Sequence, residues 1–285
     1  MMGSDNKTDN GAGIGAVGLI VADVQAEAGF YRDLGLKIRK DAQENGSKSI
    51  ELGTSSITML KLVESKNALK PARTMAGLYH IAIRLPERKA LGEVYQRIRL
   101  SSIPFEGFAD HGVSEALYLS DLEGNGIEIY SDRPKETWQR DGNGRINMGT
   151  EPLDIDSLLR GLEQGDKNRE NQTMPEGTRI GHVHLKVTNL KRSIEFYAGV
   201  LGMDVMQQIH SAAFLSYNGY HHHVGLNTWE SLGGQKREDG FLGLDHFTVL
   251  VDKRIRNKFA SLNIQHEREV QTTDPDGIKL NLVLV

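Results

Sequence analysis

Apolar and polar residues alternate in four stretches of this chain, and each alternating stretch leads into a run with helical spacing. IGAVGLIVADVQAEAGFYRDLGL, from Ile14, and IGHVHLKVTNLKRSIEFYAGVLGM, from Ile180, align without a gap over their first half. Each reads as a strand, a polar turn at Asp23 or Asn189, and a helix that turns Phe30-Tyr31 or Phe196-Tyr197 inward. Gly35 and Gly202 stand where those helices should end. Two further segments open in a related way, GLYHIAIRLPERKALGEVYQRI from Gly77 and GLDHFTVLVDKRIRNKFASL from Gly243. Both of these units finish in turn-bearing hairpins, DLEGNGIEIY and DPDGIKLNLVLV.

The pattern therefore predicts four strand-helix-strands modules, two in each half of the chain. A polar tail covers residues 1–13, a first pair of modules 14–132 and a second pair 178–285. Residues 133–177 between them read as a linker with one short amphipathic helix, DIDSLLRGLEQ.

Strand alternation sorts the polar residues by face. His80 and Arg84 share one side of their strand while the isoleucines share the other, and Ile127 and Ile129 face away from Glu128. His182 and His184 fall opposite the valines of their strand. The triplet His221-His222-His223 reads as part of a strand, with His222 on the face opposite its two neighbours. Burying so many imidazoles without partners is costly, so some should face a polar cavity.

Composition narrows the chemistry. The 285 residues carry a formal net charge of -4 with no basic run, which gives no purchase for nucleic acid. The absence of cysteine excludes disulfides, thiolate metal sites and cysteine nucleophiles. A metal would have to be held by histidine, carboxylate or water, which suits iron(II), manganese(II) or zinc(II). No apolar run approaches the length of about 18 residues that a membrane span needs. The polar start lacks the apolar core of a signal peptide, so a cytoplasmic location is expected.

The modules resemble the vicinal-oxygen-chelate superfamily, which includes glyoxalase I, bleomycin-resistance proteins and type I extradiol dioxygenases, and most closely its bacillary catechol-2,3-dioxygenase branch. The resemblance rests on GLYHIAIRLPERKALG, DHGVSEALYLSDLEGNGIEIYSDRPKETWQRD, IGHVHLKVTNLK and NGYHHHVGLN, and runs from Ile14 to Val285. It implies an α+β fold of four βαβββ modules forming two pseudo-symmetric curved eight-stranded sheets. It also implies metal ligands on the first strands of two paired modules and the last strand of one of them.

Carried over by position, the first-strand site is Ala16, His80, His182 and His246 in modules one to four, and the last-strand site is Glu128 or Asn281. Modules two and three alone supply two histidines and a carboxylate, His80, Glu128 and His182, as an extradiol iron(II) site needs; manganese(II) is the alternative ion. The family's substrate-contacting tyrosine falls on Tyr118, ten residues before Glu128, and its acid-base histidine on His222. His111 aligns, with one gap, to a further substrate-side histidine. His184 is expected to support His182 or simply to line the cavity, His246 to be a remnant, and His210 and His266 to lie on the surface. The activity implied is ring cleavage of a catechol-like or hydroquinone-like diol by dioxygen. A glyoxalase-type isomerase or lyase would want a second carboxylate where module three has its histidine pair, and non-catalytic binding members commonly lose the ligands kept here. Such a site spans the two halves of one chain or forms between chains of a homo-oligomer by exchange of modules, and the sequence is compatible with both.

Overall fold

The structure, a computed structural model, describes residues 11–285 except 45, 143–144, 161, 163–172 and 252–268. The helix expected after Val251, the second half of DIDSLLRGLEQ and His266 thus lie outside the described residues.

Module one runs β1 (Gly13–Val21), α1 (Val24–Asp33), β2 (Lys37–Glu44), β3 (Ser47–Gly53) and β4 (Thr58–Glu64). Module two runs β5 (Gly77–Leu85), α2 (Arg88–Leu100), β6 (Gly107–Asp110), β7 (Ser114–Ser120) and β8 (Gly126–Asp132). A short helix, α3 (Ile155–Arg160), falls between the halves. Module three follows with β9 (Arg179–Lys186), α4 (Leu190–Ile194, continued by a wider turn over Glu195–Val200), β10 (Asp204–Gln208), β11 (Ala212–Ser216) and β12 (Val224–Asn227). Module four contributes β13 (Gly243–Val251), β14 (Glu269–Thr273) and β15 (Lys279–Leu284).

Local chemistry sets the boundaries. The Asp23 carboxylate accepts from the backbone N–H groups of Gln25 and Ala26, and Asn189 does the same for Arg192 N–H, so both predicted turns are helix N-caps. Gly35 (φ +107°) and Gly202 (φ +71°) close the helical segments of modules one and three in left-handed backbone that favours glycine. Tyr31 and Tyr197 are fully buried, as their repeat positions predict.

The sheets join modules across the two halves. One has the order β10-β11-β12-β9-β5-β8-β7-β6 and so unites modules two and three. The other, β14-β15-β13-β1-β4-β3-β2, unites modules four and one, with seven strands among the described residues. Each is centred on an antiparallel pair of first strands, β5 with β9 and β1 with β13. The convex faces share one apolar core, in which Val17, Leu19, Ile81, Ile83, Val183, Leu185, Phe247 and Val249 are almost wholly buried. That leaves the concave faces for polar residues. Among the described residues no helix is long and apolar enough to cross a membrane.

The modules of one half meet through their turns. Tyr31 donates its O–H to Asp121 at 3.0 Å, and the repeat places Tyr197 against Asp274 at 3.2 Å in the same way. The repeat departs from symmetry at the neighbouring position. Asp276 is paired with Arg192, whereas buried Glu27 lies beside Asp121 and Glu123. Burial first, then those two carboxylates, push the Glu27 carboxyl up to about 8. A raised carboxyl favours the protonated fold, so this contribution is fully present below the unfolded value near 4.5 and is lost as pH rises through about 8. Glu27→Gln should therefore melt higher than the parent at pH 8.5, by a margin on the order of 2 kcal/mol that vanishes below pH ~4.5. Thermal melts at the two pH values check this; equal melting at pH 8.5 would contradict it.

The segment between the halves is more than the linker its polarity suggests. Trp138 and Ile146 are buried with Val113 and Tyr220, and Met148 packs against them. A few apolar residues spread through a polar stretch are enough to fix it onto module three's hairpin loop.

Candidate functional site

Strand register builds the site. On the concave face of the first sheet, Tyr118 lies opposite Glu128, Glu128 beside Ala82, and Ala82 opposite His182, a row that crosses four strands. His80 is two residues from Ala82 along β5 and so shares its face. The small side chain of fully buried Ala82 leaves the space between Glu128 and His182 open.

Three ligand atoms converge over that gap. His80 Nε2 lies 3.0 Å from Glu128 Oε2, His182 Nε2 lies 3.1 Å from the same oxygen, and the two imidazole nitrogens are 3.4 Å apart. Ligands about 2.1 Å from an ion and at right angles to one another stand about 3 Å apart, so the set fits one face of a six-coordinate metal. All three residues are buried, and among the described residues they form the one such group of histidine and acidic side chains. The charge is also suitable. Burial alone would raise Glu128, but His182 and then His80 outweigh it and hold the carboxyl well below the usual range. Burial lowers His182 to about 4, leaving a neutral imidazole with its lone pair available. One chain brings all three residues together, because modules two and three share a sheet.

The open side of this triad faces a cavity of about 730 Å³. Its walls carry Tyr79, Phe108, Phe214 and Trp229, a lining suited to a flat aromatic ligand. Met148, Gly149 and Thr150 bring the inter-half segment into the same wall.

Tyr118 and His222 also line the cavity. The Tyr118 hydroxyl is 2.7 Å from His111 Nε2, and His111 Nδ1 is 2.8 Å from the carbonyl oxygen of Gly149. A carbonyl can only accept, so His111 carries a proton on Nδ1, and in that tautomer its Nε2 accepts from Tyr118. Burial first, then Glu128, push the Tyr118 phenol well above its usual range, so it remains an O–H group. The His222 ring packs at a tilt against His182, with 4.0 Å between centroids. Burial, then His182 and His221, lower His222 well below the ordinary histidine value and keep it neutral.

The histidine triplet does not form the strand that alternation suggests. It lies in the loop between β11 and β12, after a turn in which Asn218 (φ +56°) and Gly219 (φ +68°) are left-handed. The turn reverses the chain so that His221 and His223 are buried while His222 reaches the cavity. His223 Nδ1 accepts from the backbone N–H of Tyr217, which closes the loop.

His184 lines the cavity beside His80, with ring centroids 4.9 Å apart. His210 is exposed, and His246 lies in the other sheet, paired with Asp245 at 2.9 Å. Sequence reasoning missed Asp132, which is 2.9 Å from His221 Nε2. The signal was available, since Glu128, Tyr130 and Asp132 follow one another at alternate positions on one strand face. The backbone of β9 crosses close to this row at Gly181, where a Cβ would run into the Tyr130 hydroxyl.

Comparison with known proteins agrees with this architecture. The family model described as "Glyoxalase/Bleomycin resistance protein/Dioxygenase superfamily" matches residues 13–129 and 179–282. A protein of Bacillus subtilis (strain 168) named catechol-2,3-dioxygenase is 38% identical over 257 residues, covering 89% of this chain and 87% of the relative. Among solved structures, a putative dioxygenase from Bacillus subtilis subsp. subtilis str. 168 superposes with a TM-score of 0.59 at 11% identity, over 95% of this chain and 84% of that one. Glyoxalase I from Zea mays superposes with a TM-score of 0.54 at 14% identity, over 95% and 92% of the two chains. At those identities the two structures attest the fold alone, whereas the family model spans most of the sequence. The chain belongs to the glyoxalase/bleomycin resistance protein/dioxygenase superfamily.

Proposed function

We propose that this protein is an extradiol dioxygenase that cleaves the ring of a catechol-like aromatic diol at an iron(II) ion held by His80, Glu128 and His182, a site that manganese(II) also suits. The observation that carries the reading is the joining of two histidines and one carboxylate on one face, at the floor of an aromatic-walled cavity. The relative named catechol-2,3-dioxygenase supports it. Iron(II), when bound, supplies a Lewis acid for the diol and the electrons through which dioxygen is activated.

The chain's own residues prepare the substrate. Tyr79, Phe108, Phe214 and Trp229 hold the ring and exclude water from its faces. His222, neutral and beside His182, would take a proton as the diol enters the cavity over the triad and would return one during ring opening. Tyr118 donates its O–H to a substrate oxygen, exchanging the bond it makes with His111, which stays anchored on Gly149. The overall reaction adds both atoms of one dioxygen to the diol and breaks one ring carbon–carbon bond, so no external reductant is consumed. Catechol itself would give a yellow ring-opened semialdehyde.

The test is oxygen consumption by protein reconstituted anaerobically with iron(II). One dioxygen taken up per catechol, with the semialdehyde absorbance, is the expected result. Isomerisation of a hemithioacetal without oxygen uptake would replace this reading with a glyoxalase-type one. Metal binding with turnover of neither substrate class would leave a binding protein.

A further inference from the structure

His222 is the cavity end of a buried chain of hydrogen bonds. Its Nδ1 is 2.8 Å from His221 Nδ1, and His221 Nε2 is 2.9 Å from Asp132 Oδ1. Asp132 also accepts from the Tyr220 hydroxyl at 3.1 Å, and its other oxygen lies 3.3 Å from Arg84 Nε. His221 is fully buried and packs at a tilt against Tyr220, with ring centroids 4.1 Å apart, so it has little freedom to turn. We propose that His221 and Asp132 are positioning residues that fix the tautomer of His222, with Nδ1 protonated and the Nε2 lone pair bare toward the cavity.

The direction of the chain follows from what each atom can do. A carboxylate only accepts, so His221 must carry a proton on Nε2. In the neutral ring that proton leaves a lone pair at His221 Nδ1. Two facing Nδ1 atoms at hydrogen-bond distance need one proton between them, and His222 therefore provides it. Its remaining nitrogen, Nε2, is left as an acceptor. A base at the cavity must present this atom in that state; the opposite tautomer would present an N–H and could take no proton. The same principle operates on the other wall, where Gly149 sets the His111 tautomer so that Tyr118 has an acceptor. The catalytic use of this arrangement rests on the diol-cleavage reading, whereas the tautomer itself does not.

Two substitutions separate positioning from packing. His221→Leu removes both nitrogens. His221→Gln keeps the direction, because its amide oxygen can accept from His222 and its NH₂ can donate to Asp132. In full-length protein carrying ¹⁵N-labelled histidine, with zinc(II) added as a diamagnetic ion, two-bond proton–nitrogen correlations report which nitrogen of His222 is protonated. Protonated Nδ1 and bare Nε2 are expected in the parent and in His221→Gln, with protonation moving to Nε2 in His221→Leu. A protonated Nε2 in the parent, or an unchanged pattern in His221→Leu, would overturn the proposal.

Turnover by the iron-loaded enzyme gives the second readout. His221→Leu should lower kcat about 100-fold while KM moves less than about threefold, and His221→Gln should recover at least about tenfold of that loss. Equal losses in the two variants, or a loss confined to KM, would assign His221 to packing alone and defeat the proposal. If the parent turns over no diol, the dioxygenase reading fails, and the nitrogen correlations still decide the tautomer.

Discussion

Glu128→Gln should abolish retention of iron(II) and, with it, the proposed diol cleavage. The substitution keeps the volume of a side chain that is 3% exposed and lies within about 3 Å of both imidazole nitrogens, so the fold has no reason to change. What it removes is the one negative charge of the triad. Two neutral imidazoles and an amide oxygen hold a divalent cation in a buried site far less well than a set containing a carboxylate. Even residues that only support metal ligands are worth about 10–100-fold in affinity, and loss of the charged ligand itself should exceed that range. Metal content after anaerobic loading and desalting, read beside circular dichroism, checks the prediction. A variant that retains parental iron would show that the carboxylate is not a ligand.

His222→Phe has the second large effect, of a different kind. A phenyl ring can keep the tilted packing against His182 and the contact with Phe214, whose centroid is 5.0 Å away, so the metal should remain. It has no nitrogen, and the diol loses the neutral base that packs against His182. General acid–base groups contribute about 10²–10⁴-fold, so kcat should fall by that factor with iron content unchanged. Steady-state oxygen uptake at saturating diol measures it. A kcat within about threefold of the parent would remove His222 from the proton-transfer role.

The parts of this site that lie on repeated strands were legible in the sequence. Alternation put His80, Glu128 and His182 on polar faces of their strands, and the family resemblance marked the two histidines as first-strand positions, Glu128 as a last-strand position and Tyr118 as the residue ten before it. What pattern could not supply was geometry between distant segments. Ala82 matters only because β8 and β9 flank β5 and place Glu128 and His182 on either side of it, and that register is a property of three strands together. The aromatic walls were hidden for the same reason, since Tyr79, Phe108, Phe214 and Trp229 come from four separate segments. The triplet was misread because period-two alternation was extended into a loop that its Asn218-Gly219 turn releases from the strand. Asp132 was missed although it shares the Glu128 face, because a lone acidic residue at a strand end shows no chemistry until His221 is placed against it.

Cross-half pairing gives the site its plan. Modules within one half touch through Tyr31 and Asp121 or Tyr197 and Asp274, while the ligands come from β5, β8 and β9 of modules two and three. The remaining modules, one and four, hold His246 without a matching set, and their sheet carries the rest of the shared core. One sheet therefore carries the candidate metal site, and its pseudo-symmetric partner shares the core beneath it.

Anomalous diffraction at the iron absorption edge, from crystals of the iron(II)-loaded protein, tests the central claim most directly. The account predicts one strong peak per chain, about 2.0–2.2 Å from His80 Nε2, His182 Nε2 and a Glu128 oxygen, with the cavity on its open side. A peak beside His246, or one on the triplet that leaves Glu128 out of reach, would contradict it.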